Sequence, residues 1–172
     1  MKTKTILLTI IITFLFAILI PLVAPAAYFI AVPHKVQNEL GNPSLLVDHG
    51  YKGTTFLYTA NETLAMGQVV FIASNGTAAL ADADASTTVP GVAIALGAAS
   101  AGSTLTCLLE GVMRDDSWLT LTTGGYIYVS TTSGNITQTA PSGSGDQVQQ
   151  IGIAIGTKII KLQPDSTIIE LE

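Results

Sequence analysis

The chain has 172 residues, of which 48% are hydrophobic and only 11% charged, and its formal net charge is −5. That acidity argues against a nucleic-acid binder, which needs a basic face to displace counterions from phosphates. The lone cysteine, Cys107, excludes an intrachain disulfide framework and a cysteine-rich zinc site.

Met1-Lys-Thr-Lys-Thr5 opens the chain and is followed by an uncharged, mostly apolar run from Ile6 to Val32. Two readings compete for residues 1–32. A secretory signal peptide would use Ile6 to Ile20 as its apolar region, break at Pro21 and be cut near Ala24-Pro25-Ala26. A membrane anchor would use the whole of 6–32, which exceeds the ~20 residues that span a hydrocarbon core. Its prolines are compatible with a membrane helix, and Tyr28 and Phe29 extend its apolar character past the cut point. Either way the body is expected beyond a membrane, exported or anchored outside, with Lys2 and Lys4 on the cytoplasmic side.

Residues 33–53 read as a connector, punctuated by Gly41-Asn42-Pro43 and closed by a loop at His49–Gly53. The β body is expected over 54–164. Thr54–Thr59 is its first strand. Gln68–Ile72 follows, turns at Ser74-Asn75-Gly76 (the strongest short hairpin signal) and returns through Thr77–Leu80. A polar connection at Ala81–Thr88 leads to a core strand, Val92–Leu96. Ser103–Leu109 alternates as a strand, Glu110-Gly111 breaks it, and Trp118–Thr122 is expected as a further short strand. Tyr126–Ser130, Ile136–Thr139, Val148–Ile155 and Lys158–Leu162 complete the body, and 165–172 forms a last strand or an arm that pairs with a neighbour.

Two stretches repeat one pattern. Gly67-Gln-Val-Val-Phe-Ile-Ala-Ser-Asn-Gly76 and Gly125-Tyr-Ile-Tyr-Val-Ser-Thr-Thr-Ser-Gly134 each run from glycine through an apolar strand and a polar turn to glycine. Each then passes to a strand opening on glycine, Gly91-Val-Ala-Ile-Ala and Gly152-Ile-Ala-Ile. One such unit has too little apolar surface to offset its ordering entropy, whereas two packed face to face enclose a core. The fold class expected is all-β, a small barrel or sandwich built from a duplicated β unit behind an N-terminal transmembrane or signal helix.

Gly67-Gln-Val-Val-Phe-Ile, Leu80-Ala-Asp-Ala-Asp, Val89-Pro-Gly-Val-Ala-Ile-Ala and Gly102-Ser-Thr-Leu-Thr carry a further likeness. With Gly125-Tyr-Ile-Tyr-Val-Ser, Thr139-Ala-Pro-Ser-Gly-Ser-Gly-Asp and Val148-Gln-Gln-Ile-Gly-Ile-Ala, they span Thr54 to Pro164. The series resembles the β module of phage capsid cement, or head-decoration, proteins, also found in tail and fibre proteins. The resemblance implies a non-enzymatic virion structural protein that binds a capsid or surface lattice, often as a homo-oligomeric trimer. The apolar N-terminus departs from that family. It fits a virus with an internal membrane, or a surface protein that borrowed the module.

No residue pattern points to catalysis, a cofactor or a metal site. Asp82 and Asp84 form an Asp-x-Asp pair, short of the six to eight oxygens calcium takes. Asp115-Asp116 beside Arg114 reads as a polar turn with no second partner for acid/base work. His34 and His49 read as solvated loop residues, and Cys107 as an inward-facing packing residue. Gly143-Ser144-Gly145 lacks the Lys-[Ser/Thr] of a phosphate loop. Trp118, Tyr126 and Tyr128 are expected in cross-strand aromatic pairs of the β core, the competing reading being exposed contact residues. The sequons at Asn61, Asn75 and Asn135 fall at expected turns and are candidate glycosylation acceptors. The competing functional readings are a cellular fibre, pilus-like or surface-layer subunit and a secreted carbohydrate-binding module.

Overall fold

The computed structural model describes residues 42–172, which fall in one compact unit, Leu40–Glu172. The signal or anchor read over 1–32, most of the connector and His34 lie outside the described residues. Among the described residues the structure is all-β, with a single 3-10 turn at Pro43–Leu45 and no α-helix. Its strands are β1 (Tyr51–Thr59), β2 (Val69–Ile72), β3 (Ala78–Leu80), β4 (Ala93–Ala95), β5 (Thr104–Arg114) and β6 (Tyr126–Val129). They continue as β7 (Ile136–Thr137), β8 (Gln147–Val148), β9 (Gln150–Gly156), β10 (Ile159–Leu162) and β11 (Ile169–Glu170).

Nine strands form one sheet in the order β3-β2-β4-β5-β10-β9-β6-β7, with β1 added to β5, and β11 pairs with β8 apart from it. The path reads the same from both edges. Hairpin β2–β3 leads to β4 and then β5 in one half; hairpin β6–β7 leads to β9 and then β10 in the other. Every pairing within this path is antiparallel, as short turns between successive strands require.

β5 is where the halves meet. β1 takes one of its edges along the whole length, from Tyr51↔Met113 to Thr59↔Thr104. The other edge is shared, with β4 opposite Cys107 and Leu108 and β10 opposite Gly111 to Arg114. Between these two segments the β1 register steps from Thr54↔Glu110 to Thr55↔Leu108, which leaves Leu109 as an extra residue. Such a bulge bends the strand and changes which face each later side chain takes. Leu108 and Met113, of opposite parity, therefore both enter the main core.

That core draws on both halves. Val69, Ile94 and Leu108 from the first meet Ile127, Val129, Ile151, Ile160 and Leu162 from the second. Each such side chain contributes roughly 1.5–3 kcal/mol when taken fully out of water. A second, smaller core lies on the outer face of the first half, where Val70, Ala78, Ala93, Ala95, Leu105 and Cys107 pack beside Ala60, Leu64 and Ala99. β2 and β4 are thus buried on both faces, which is why they read as continuous apolar runs.

The sheet curls into a half-barrel, and backbone bonds tie its halves again away from β5. Val69 N donates to Gly134 O at 2.8 Å, Gly134 N to Ala81 O at 2.7 Å and Ala83 N to Ser130 O at 3.0 Å. Gln149 adds a side-chain clamp. Its Oε1 accepts from Gly91 N at 2.7 Å, while its Nε2 donates to Gly91 O at 3.1 Å and Asp165 O at 2.7 Å. All its polar atoms are satisfied, which is what allows an amide to be buried there.

Several expectations are corrected. Tyr51–Gly53 is strand, so the boundary placed at residue 53 cuts through β1. Glu110-Gly111 does not end β5, because Gly111 lies opposite Gly53, and a Cβ on either would fall 2.0–2.1 Å from the other strand's carbonyl oxygen. Bare backbone on both sides lets the ladder continue through a close approach. Trp118–Thr122 is not a strand. Lys158 Nζ takes the carbonyls of Asp116 and Trp118, Leu121 N reaches Thr157 O at 2.9 Å, and the Gln138 amide bonds Thr122 N and O at 2.7 and 2.9 Å. Side chains replace the ladder there. The tail does form a last strand, β11, and its partner β8 belongs to the same chain.

Candidate functional site

β1 is a nine-residue strand exposed at every position but Tyr58. One edge pairs with β5; among the described residues no strand pairs with the other. Its sequence, Tyr-Lys-Gly-Thr-Thr-Phe-Leu-Tyr-Thr, is rich in β-branched and aromatic residues that favour extended backbone. Phe56 and Leu57 project from opposite faces and are 55% and 61% exposed, and Tyr51 is 43% exposed. The Phe56 ring contacts Tyr58 in a tilted pair, with centroids 4.9 Å apart and planes at 52°. Edge strands are normally blunted by proline, by charge or by a covering element. β1 has no proline, and Lys52 is its only charged residue. Among the described residues, β1 is therefore a long strand with exposed apolar side chains and one edge that no strand covers.

The sequence-derived candidates are scattered. Asn61, Asn75 and Asn135 are exposed at turns. The first two sequons meet, since Asn75 Nδ2 donates to Asn61 Oδ1 at 3.4 Å and Thr77 Oγ1 to the same oxygen at 3.0 Å. Asp82 Oδ1 accepts from Asp84 N at 3.0 Å and so holds its own loop. Partial desolvation, then the charges of Asp82 and Asp146, raise the Asp84 carboxyl above its usual range. Cys107 is fully buried in the smaller core, and burial pushes its thiol up to about 11. Asp146 Oδ2 accepts from Gly143 N at 2.7 Å, making Gly143-Ser144-Gly145 a self-bonded turn. The expected cross-strand aromatic pairs are not formed. Tyr126 and Tyr128 contact edge to face along one strand at 6.5 Å, and Trp118 packs on the main core with Nε1 donating to Gly67 O at 3.3 Å.

A second cluster was not legible in the sequence. The turn before β1 is fastened to the end of β5. Arg114 donates from Nε and Nη2 to the two oxygens of Asp116 at 2.8 and 2.9 Å, and from Nη1 to Leu46 O at 2.9 Å. Those hydrogen bonds hold the Asp116 carboxyl below its ordinary range. Asp116 N in turn donates to Asp48 Oδ1 at 2.8 Å. Asp115 points inward and is 0% exposed; its Oδ1 accepts from Ser117 N at 2.8 Å and Ser117 Oγ at 2.5 Å. Its Oδ2 has no hydrogen-bond partner. His49, the only non-glycine residue with positive φ (62°) among the described residues, places Nε2 3.6 Å from Asp48 Oδ2 and 3.9 Å from Asp115 Oδ1. The expectation that Asp115 has no partner nearby is therefore corrected: His49 stands beside it.

The chain matches no protein-family model and no curated protein.

Proposed function

We propose that the protein is a non-enzymatic structural subunit of a virion, which decorates or stabilises the particle surface through contacts between copies of itself. The exposed strand β1 carries the reading. Its open edge and the exposed Phe56 and Leu57 form a surface that a neighbouring subunit would cover. The resemblance of Thr54–Pro164 to phage cement modules supports the same role, and we read the curled sheet as a small barrel made from two copies of one β unit. Trimers docked on a capsid or surface lattice are the arrangement expected, with residues 6–32 as a membrane tether where they are retained. The open edge also favours a second reading, a cellular fibre or pilus-like subunit, because strand addition along β1 extends into filaments unless symmetry closes it.

The test is the mass of the full-length protein in mild detergent by native mass spectrometry, beside a Phe56→Lys/Leu57→Glu double variant. The expected result is a closed oligomer for the natural sequence, and a monomer with unchanged far-ultraviolet circular dichroism for the variant. A monomer for both at high concentration overturns the reading. Electron micrographs showing long fibres without particles transfer it to the cellular alternative.

A further inference from the structure

We propose that the open edge of β1 is closed by the same edge of a second copy, the two strands running antiparallel about a two-fold axis at Thr54. The pairing rests on the self-associating role proposed above and specifies how two copies meet. Hydrogen-bonding direction alternates along a strand, and both ends of β1 fix its phase. Gly50 O accepts from Arg114 N at 2.9 Å just before the strand, and Ala60 N donates to Ser103 O at 2.9 Å just after it. The extra residue between them, Leu109, lies in β5, so the phase along β1 is unbroken and its even-numbered residues bond β5. Tyr51, Gly53, Thr55, Leu57 and Thr59 therefore turn their N–H and C=O groups to the open edge. That edge has an end. Asn61 N donates to Ala78 O at 2.7 Å and Ala60 bridges to Ala78, so the start of β3 occupies the line of the edge beyond Thr59. Tyr51 to Leu57 is the stretch left for another strand, and no strand among the described residues pairs with it.

A second copy of β1 matches that stretch in backbone and in side chains. Centred on Thr54, antiparallel pairing sets Tyr51 opposite the partner's Leu57 and Gly53 opposite the partner's Thr55. Every outward N–H and C=O from Tyr51 to Leu57 then meets its complement. The same register covers the exposed apolar side chains. Leu57 lies against the partner's Tyr51, and Phe56 against the partner's Lys52, cross-strand pairs of the kind that stabilise neighbouring strands. Other registers fit less well. Parallel in-register pairing sets each Lys52, the one charged residue of the strand, beside its own copy. Centring on Thr55 puts Leu57 opposite a glycine, which has no side chain to cover it, and runs Thr59 into the start of β3. Two-fold pairing uses the edge of both copies, so β1 by itself closes after two chains instead of extending into a fibre. In the trimeric arrangement expected at a particle surface, it links one trimer to the next.

The experiment oxidises full-length Thr54→Cys protein in mild detergent with copper phenanthroline and reads dimers on a non-reducing gel. Residues at a non-hydrogen-bonded antiparallel position have Cα atoms ~4.5 Å apart, within the ~4.4–6.8 Å that a disulfide takes. Thr54 is exposed, and the natural Cys107 is fully buried and does not compete. The expected result is that most Thr54→Cys chains become linked dimers. The natural sequence and Thr59→Cys, whose two copies lie about 33 Å apart in this register, stay unlinked. Equal linking of Thr59→Cys overturns the register. Oligomers by native mass in which Thr54→Cys stays unlinked overturn the two-fold pairing and leave the structural-subunit role standing, whereas monomers at high concentration overturn both. Slow hydrogen exchange at the Thr55 and Leu57 amides of a monomer also overturns the pairing, since the chain then covers its own edge.

Discussion

At the scale of the residue, the body shows how a polar or reactive atom becomes inert. Cys107 was legible as an inward-facing residue from the alternation of its strand, and the structure places it at zero exposure between β1 and β4. Burial disfavours the thiolate and pushes the thiol up to about 11, so both access and nucleophilicity are suppressed at neutral pH. A disulfide thiol reagent is therefore expected to leave the folded protein unlabelled at pH 8 and to label one thiol per chain once denaturant is added. Rapid labelling of the folded form would show that β1 opens from β5. Asp115 illustrates the opposite case. From sequence it is half of an Asp-Asp turn, yet one of the pair is buried and the other exposed, because the end of β5 turns Asp115 inward and hands Asp116 to Arg114.

At the scale of the element, the two hairpins test how far the repeat goes. Gly76 and Gly134 hold equivalent places in the pattern and both adopt left-handed backbone, with φ of 80° and 76°. Their surroundings differ. A Cβ on Gly76 meets nothing within 4 Å, whereas one on Gly134 falls 2.7 Å from Leu80 Cδ2, and Gly134 also carries two of the bonds that tie the halves. Gly76→Ala is expected to cost about 1–2 kcal/mol, the penalty of the left-handed conformation alone. Gly134→Ala adds an overpacking cost of about 1–3 kcal/mol. Denaturant unfolding of both variants measures the difference, and equal losses would mean that the second turn yields without disturbing Leu80. The turn chemistry of both hairpins was legible from their glycines and polar triplets. That only one turn is buried was not, since its neighbours come from the other half.

At the scale of the whole molecule, β5 makes the halves inseparable. It lends one segment of the same edge to β4 and the other to β10, and its Leu108 and Met113 enter a core lined by both halves. Neither half buries its apolar face without the other. The body is expected to unfold in one step, with the near-ultraviolet signal of Trp118 and the far-ultraviolet signal of the sheet melting together and the calorimetric and van't Hoff enthalpies equal. Two separated transitions would show that the copies are independent folding units.

The sequence by itself determined the all-β class, the positions of the hairpins, the core strand at Val92–Leu96 and the direction in which Cys107 faces. These follow from alternation, β-branched content and turn residues, which act over a few positions. Tertiary structure alone decided the rest. Whether Glu110-Gly111 breaks a strand depends on finding Gly53 across from it, and whether Trp118–Thr122 joins the sheet depends on Lys158 and Gln138. Asp48 and Asp116 are bonded across 68 positions, and the neighbouring His49 and Asp115 come together with them. No local pattern encodes such a meeting. It arises because β1 runs antiparallel to β5 along its whole length and carries the turn that precedes it to the far end of that strand.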